Sequence, residues 1–392
     1  MYEKIINEIK LNLGENKDLN KKYLSSQMEK YKDHEFNVEI LRELSRMMWD
    51  CLSDEEKQEF IEISQNETPI MDILEEIFPL IENEKNDEAL DKLNSFMLNF
   101  SPMFEDDSIN EYHYFTNHLE EEIFNEYIGA KKDVRYIPNN QPLLDLYYVY
   151  GFLFLETKNF NKAEEYLKKA LKINPISSRI LLELSEVYKG QSLNKYFFYT
   201  TQALKYAYYP QDIARCYRNL GFYYIEAGEY KVSASLYNFS MKYELSPLAY
   251  KELQYLKTKG EIVELELSEC LEALNEKNIQ IDTNPFILKT LHLLADKFDK
   301  DQALPQALYY YELEYDLTHN EKILEKINEL RKLTNEDLNK KITESKEELL
   351  DLRIKQSTGS LEKPSKIHEL RKDVARMKTI LRERELSEGG EN

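Results

Sequence analysis

Residues 143–175 read LLDLYYVYGFLFLETKNFNKAEEYLKKALKINP, and the spacing within this stretch decides the fold. Apolar residues recur every three to four positions. The small residues Gly151, Ala163 and Ala170 stand where two antiparallel helices would cross closely, Phe154 and Leu167 fill the space between turns, and Pro175 ends the second helix. One such pair cannot bury its apolar faces alone and calls for neighbours of the same kind. Residues 214–247 supply one, with Gly221, Tyr224, Ser233, Tyr237, Ser240 and Pro247 in matching places, 70 residues further on. The intervening ISSRILLELSEVYKGQSLNKYFFYTTQALKYAYYP fits as a degenerate copy that keeps Leu184, Ser185, Tyr188 and Ala203 and is one residue short in its inter-helix turn. A fourth copy covers 288–321 with Ala295, Phe298, Ala307 and Tyr311. Four units exceed the roughly three that a stable stack requires.

The pattern resembles the tetratricopeptide repeat family. That resemblance implies a superhelical solenoid of helix pairs whose groove receives a protein or peptide partner of unspecified identity. The Tyr-rich runs YYVYGF, KYFFY, YAYY and GFYY are available to such a groove, although most of these rings are expected to pack between helices. Residues 1–140 read as a helical extension without a clean period, with a diverged helical hairpin around Ala89, and Asn139, Asn140 and Pro142 interrupt the chain before the first repeat. The stretch from Lys259 to Pro285 is expected to be a variable link between the third and fourth repeats.

Composition agrees with an all-α chain. Among 392 residues there are only 10 Gly and 11 Pro, and 32% are charged. The opening MYEKIINEIKLNLGENK has no uninterrupted apolar run, so neither a signal peptide nor a membrane span is expected, and no later segment is apolar enough to cross a bilayer. Cys51, Cys216 and Cys270 are odd in number and widely spaced, which suits a reducing, cytoplasmic setting and argues against a disulfide framework or zinc cluster. His113 and His118 with Glu120 and Glu121, in EYHYFTNHLEEE, are of metal-ligating type, but a spacing of five sets the two imidazoles well apart around a helix, so they read as surface or packing residues. Trp49 reads as core. Without a P-loop, a Gly-rich dinucleotide turn or a nucleophile elbow, no catalytic, cofactor-binding or metal-ligating residue is expected, and no enzymatic activity.

The net charge of −21 argues against nucleic acid until it is divided along the chain. Residues 326–392 carry 16 Lys and Arg against 14 Asp and Glu, whereas residues 1–325 carry 36 against 59. Between Lys363 and Arg384 eight basic side chains face only Glu369, Asp373 and Glu383. Thr334 with Glu336 and Asp337 makes a helix N-cap with acids in the first turn, and Leu338, Ile342, Leu349, Leu352 and Ile354 form an apolar stripe as far as Gly359. Pro364 then starts a second helix whose inner face carries Ile367, Leu370, Val374, Met377 and Ile380 or Leu381. Two facing stripes predict an antiparallel hairpin.

That hairpin resembles the bacterial large-subunit ribosomal protein twenty-nine family. The residues that carry the likeness are Glu329-Leu330-Arg331 with Leu333-Thr334, Lys346-Glu347-Glu348-Leu349, Leu352-Arg353 with Gln356, Thr358-Gly359 with Leu361-Glu362 and Pro364, and Arg371 to Thr379 running into Leu381-Arg382-Glu383-Arg384-Glu385. Departures are mild: Leu350, Ser360 and His368 stand where the family often has Phe, Gln and Arg. The resemblance implies contact with large-subunit ribosomal RNA and neighbouring ribosomal proteins near the nascent-chain exit. Cations on the outer face of a rigid helix can also follow phosphates on general grounds, by backbone and shape and without aromatic stacking. A Lys/Arg-rich helix taken alone reads as well as a solvated arm; the family likeness favours RNA. The candidate RNA-binding residues are Arg353, Lys363, Lys366, Arg371, Lys372, Arg376, Lys378, Arg382 and Arg384.

The sequence therefore predicts an all-α protein: a helical extension over 1–140, a tetratricopeptide-type helical-repeat solenoid over 141–322, a C-terminal two-helix antiparallel hairpin over 326–387, and a disordered tail over 388–392. The leading functional expectation is a ribosome-associated, cytoplasmic constituent of the large subunit with a protein-binding arm. The alternative is a cytosolic interaction scaffold in which the hairpin is incidental.

Overall fold

The computed structural model describes residues 2–14, 16–32, 34, 36–53, 56–57, 69–261, 263–331, 335–357, 366–367 and 370–379. Helices α1 (Tyr2–Leu11), α2 (Lys17–Tyr31) and α3 (Asn37–Cys51) enclose a small core of Ile6, Ile9, Leu24, Ile40, Leu44 and Met47. Trp49 is buried too. Helices α4 (Pro69–Glu82) and α5 (Asn86–Met97) pack together with Ala89 fully buried, and both lean on the first repeat, so the diverged hairpin read around Ala89 is present.

Four helix pairs follow the repeat pattern. They are α7 (Leu143–Glu156) with α8 (Phe160–Ile173), α9 (Ser178–Tyr188) with α10 (Leu193–Tyr206), α11 (Pro210–Glu226) with α12 (Tyr230–Ser240), and α15 (Pro285–Lys300) with α16 (Leu304–Thr318). Close crossing is visible at the glycines. A Cβ at Gly151 would stand 2.8 Å from Leu167 Cγ and 3.0 Å from the Leu167 backbone N, and one at Gly221 would stand 2.8 Å from the Tyr237 ring. Three of the four inter-helix turns pivot on a left-handed residue: Lys158 (φ 61°), Gly228 (φ 75°) and Gln302 (φ 55°). The second pair, whose spacing is one residue short, has no left-handed residue in its turn at 189–192.

Two features depart from the expected architecture. Helices α13 (Pro247–Thr258) and α14 (Leu267–Glu276) each pack against α12, so the stretch 259–285 is not a bare link. Glu266 explains why a helix starts there, since its side chain and that of Glu269 complete a capping box. Within the N-terminal extension, β1 (Asn110–His113) and β2 (Asp133–Tyr136) pair in parallel, with Asn110 opposite Asp133 and His113 opposite Tyr136. The chain between them forms α6 (His118–Tyr127). Four-residue strands are too short for a period to announce them.

Helix α17 (Glu321–Arg331) packs on α16, and α18 (Asn335–Ser357) forms the first arm of the C-terminal region. Residues 370–379 are helical and form the described part of its second arm. The expected N-cap at Thr334, the turn at Gly359 to Pro364 and the tail 388–392 lie outside the described residues. Among the described residues no helix is long and apolar enough to cross a membrane, and Cys51, Cys216 and Cys270 are buried free thiols.

Candidate nucleic-acid interface

The described side chains of the predicted inner stripes are buried, those of Leu338, Ile354, Ile380 and Leu381 lying outside the described residues. Ile342, Leu349, Leu352, Ile367, Leu370, Val374 and Met377 are all at most 9% exposed, and they share one core with Tyr309, Tyr310 and Leu313 of the solenoid. The two arms are joined by an ion pair between Lys366 and Glu348. Their base is tied to acidic solenoid residues: Lys326 Nζ lies 2.9 Å from Asp299 and Arg331 Nη2 lies 2.8 Å from Glu312. Lys341 donates to the backbone carbonyl of Gln302. The hairpin therefore does not project freely from the solenoid; it closes over the end of it.

This docking divides the predicted RNA-binding residues. Arg371 and Lys378 are exposed. Arg376 turns inward, its guanidinium carbon 4.3 Å from the centre of the Tyr309 ring and its Nη1 3.6 Å from Asp373, itself almost fully buried. Lys372 is half-buried and lines the same narrow cleft as Arg376, together with Thr116, Asn117, Gln306, Tyr309 and Tyr310. Lys366 is committed to Glu348. Lys363, Arg382 and Arg384 lie outside the described residues, as does the side chain of Arg353. The structure thus spreads the five described cations over two sides of the helix and one cross-arm contact rather than one continuous outer face.

Beneath the cleft lies a polar network that joins His118 and Glu120, read from the sequence as surface or packing residues, to Asn117 and the solenoid tyrosines. Asn117 caps α6, accepting from the Glu120 amide at 3.0 Å. Its amide nitrogen donates to the Tyr208 and Tyr309 hydroxyls, each at 3.1 Å, and the His118 amide donates to the Tyr310 hydroxyl at 3.2 Å. The carboxylate of Glu120 accepts from the Thr116 amide at 2.6 Å, from Asn174 Nδ2 at 3.0 Å and from the Tyr208 hydroxyl at 2.9 Å. Burial drives the Glu120 pKa above the ordinary carboxyl value, and these hydrogen bonds oppose that shift. At the other end of α6, the Tyr127 hydroxyl donates to Asn284, and Lys205 sits 4.1 Å from the Tyr127 ring. His118 stacks on Phe298, and His113 meets the Ile173 carbonyl at 3.1 Å through Nδ1.

Helix α6 is therefore an internal ligand of the solenoid, laid across the junctions that end the first and second pairs and across the fourth. Part of the solenoid surface is thus covered by the chain itself. The signal lay in Thr116-Asn117-His118-Leu119-Glu120, an Asn followed three residues later by Glu, with the apolar pair Ile123-Phe124 after two further glutamates.

The hairpin and the first repeat each have recognised relatives. Residues 328–384 match the family model of the ribosomal L29 protein, and residues 144–177 match that of the tetratricopeptide repeat. The C-terminal part is similar to the large ribosomal subunit protein uL29 of Persephonella marina, 54% identical over 65 residues, a span that covers 96% of that protein and 17% of this chain. It is likewise similar to uL29 of Pelotomaculum thermopropionicum, 56% identical over 61 residues, and of an Exiguobacterium species, 57% identical over 61 residues, each covering 91% of the relative and 16% of this chain.

Proposed function

This chain belongs, through residues 328–384, to the ribosomal L29 protein family, and on that footing we propose that it is a non-enzymatic constituent of the large ribosomal subunit. The single observation that carries this reading is a likeness of more than half the residues over nearly the whole length of free-standing uL29 proteins. The C-terminal hairpin binds large-subunit ribosomal RNA and adjoining ribosomal proteins, and the helical repeats form an arm that meets a protein partner. Its place is with the ribosome in the cytoplasm.

Recognition runs through phosphates. Arg353, Lys363, Lys366, Arg371, Lys372, Arg376, Lys378, Arg382 and Arg384 supply cations and no stacking ring, so affinity falls steeply with salt. Arg371→Ala and Lys378→Ala, the two changes at exposed positions, are each expected to weaken RNA binding a fewfold and to reduce the slope of log affinity against log salt by about 0.7 to 0.9. Filter binding across a salt series checks this; an unchanged slope in both would remove those residues from the interface.

The proposal itself is tested by sucrose-gradient sedimentation of the tagged full chain at low and high salt, beside a chain lacking 326–392. Stoichiometric, salt-resistant migration with the large subunit that vanishes on deletion supports it. Migration at the top of the gradient would sink it and leave an interaction scaffold with an incidental hairpin.

A further inference from the structure

We infer that the surface formed by Thr116 and Asn117 of the N-terminal extension with Gln306, Tyr309 and Tyr310 of the solenoid is the docking surface for the chain's own helix 370–379, and that it holds this helix in competition with RNA. The inference rests on the RNA-binding reading above and adds a means of regulating it.

Three observations converge. Ile367, Leu370, Val374 and Met377 are buried in a core shared with the solenoid, so lifting the hairpin away would return apolar surface to water. The guanidinium of Arg376 lies over the Tyr309 ring, with that ring 6% exposed and anchored through its hydroxyl to Asn117. A cation held over an aromatic face with part of its hydration removed is bound more firmly than one on an open surface. Lys372 lines the same cleft, and the hairpin base is fastened to Asp299 and Glu312.

Tyr309 covers one face of the Arg376 guanidinium, and the carboxylate of Asp373, 3.6 Å from Nη1, competes for its in-plane N–H groups, so fewer of them are open to a phosphate in the docked state. The side of the helix that carries Lys372 and Arg376 is therefore fully open to phosphates only when the helix leaves the solenoid. Arg371 and Lys378, exposed in the docked state, make the first encounter. The remaining cations join after release. Apparent RNA affinity is then the intrinsic affinity scaled by the fraction of chains with the hairpin undocked. The acidic balance of residues 1–325, 36 Lys and Arg against 59 Asp and Glu, is suited to this, since such a body attracts a cationic helix and repels RNA.

The test uses the full chain and deproteinised large-subunit ribosomal RNA at about 50 mM and 200 mM salt, with amide exchange of 370–379 measured in parallel. Tyr309→Leu keeps bulk while removing the ring face and hydroxyl. It is expected to speed exchange over 370–379 and to raise RNA affinity about five- to tenfold. Tyr309→Phe keeps the ring under Arg376 and loses only the hydroxyl, and is expected to leave both readouts much closer to the wild type than Tyr309→Leu does, a separation that a general folding defect cannot imitate. Exchange over 143–173 serves as the fold control. Faster exchange with unchanged or weaker RNA binding overturns the competition and leaves the RNA reading standing. No change in exchange over 370–379 with Tyr309→Leu overturns the docking. RNA bound by none of the three chains, with exchange shifted as expected, overturns the RNA reading itself.

Discussion

Glu120→Ala is expected to destabilise the packing of α6 on the repeats by roughly 3 to 4 kcal/mol. The substitution leaves the Thr116 amide, Asn174 Nδ2 and the Tyr208 hydroxyl without their acceptor in a site closed to water. Each buried donor left unpaired costs about 1 to 3 kcal/mol, and removal of a carboxylate that burial itself disfavours returns part of that sum. Glu120→Gln keeps one acceptor oxygen and should cost far less. Because the chain is built of several units, one melting temperature would blur the effect; amide exchange resolved by helix is the better measurement. Amides of α15 and α16, which meet α6 through His118, Tyr127 and Asn117, should lose protection before those of α7 and α8. Equal protection in wild type and Glu120→Ala would mean that α6 does not hold the fourth pair.

The same carboxyl predicts a pH dependence. Its folded pKa is raised by burial above the ordinary value. A proton is thus bound more tightly in the folded state, and the stability this provides is complete below the ordinary carboxyl value and is lost as pH rises through the raised one. Glu120→Gln should remove that decline, so the protection of α15 and α16 should vary less with pH above about 4.5 than in the wild type.

Gly151→Val should destabilise the first repeat by about 2 to 3 kcal/mol through overpacking. The added Cβ would stand 2.8 Å from Leu167 Cγ and 3.0 Å from the Leu167 backbone N. A side-chain carbon can swing away; a backbone nitrogen inside α8 cannot, so the two helices must separate. Gly151→Ala should cost less, because the same clash is offset by about 1 kcal/mol of helix propensity. Leu167 is fully buried, and Leu167→Ala alone should cost about 2 to 5 kcal/mol. In that background the penalty of Gly151→Ala should shrink, since only the backbone contact remains. Urea melts of the two single variants and the double variant give the coupling. Strict additivity would show that Gly151 and Leu167 do not press on each other.

The solenoid was legible because small residues at fixed spacing have one physical purpose, letting helices cross closely. Gly151 with Leu167 and Gly221 with Tyr237 meet as that spacing requires. The stripes of the C-terminal arms were legible for the same reason, and their buried residues are the ones the period picks out. What the period could not convey is the second surface each stripe touches. Ile367 and Met377 face an apolar partner in either case, and no local pattern distinguishes a hairpin closed on itself from one that also rests on Tyr309. Arg376 illustrates the consequence: its place in a basic run suggests solvent and phosphate, while its position 67 residues beyond Tyr309 puts it over a ring. The network around Glu120 was illegible for a similar reason, since Asn174, Tyr208 and Tyr309 converge from 54 to 192 residues away. Strands of four residues and the short helices α13 and α14 carried too few turns of pattern to be separated from loop.

The parallel clasp of β1 with β2 fastens both ends of α6, so the segment is not merely bound but tethered. A short tether presents its ligand at an effective concentration on the order of millimolar. A peptide arriving in trans on that face would compete against it and register roughly a thousandfold weaker than its intrinsic affinity if the tethered segment alone bound with micromolar strength. The face is thereby insulated from casual peptides at cellular concentrations. A partner that uses it must displace β1, α6 and β2 together, and one that does not must bind elsewhere on the solenoid.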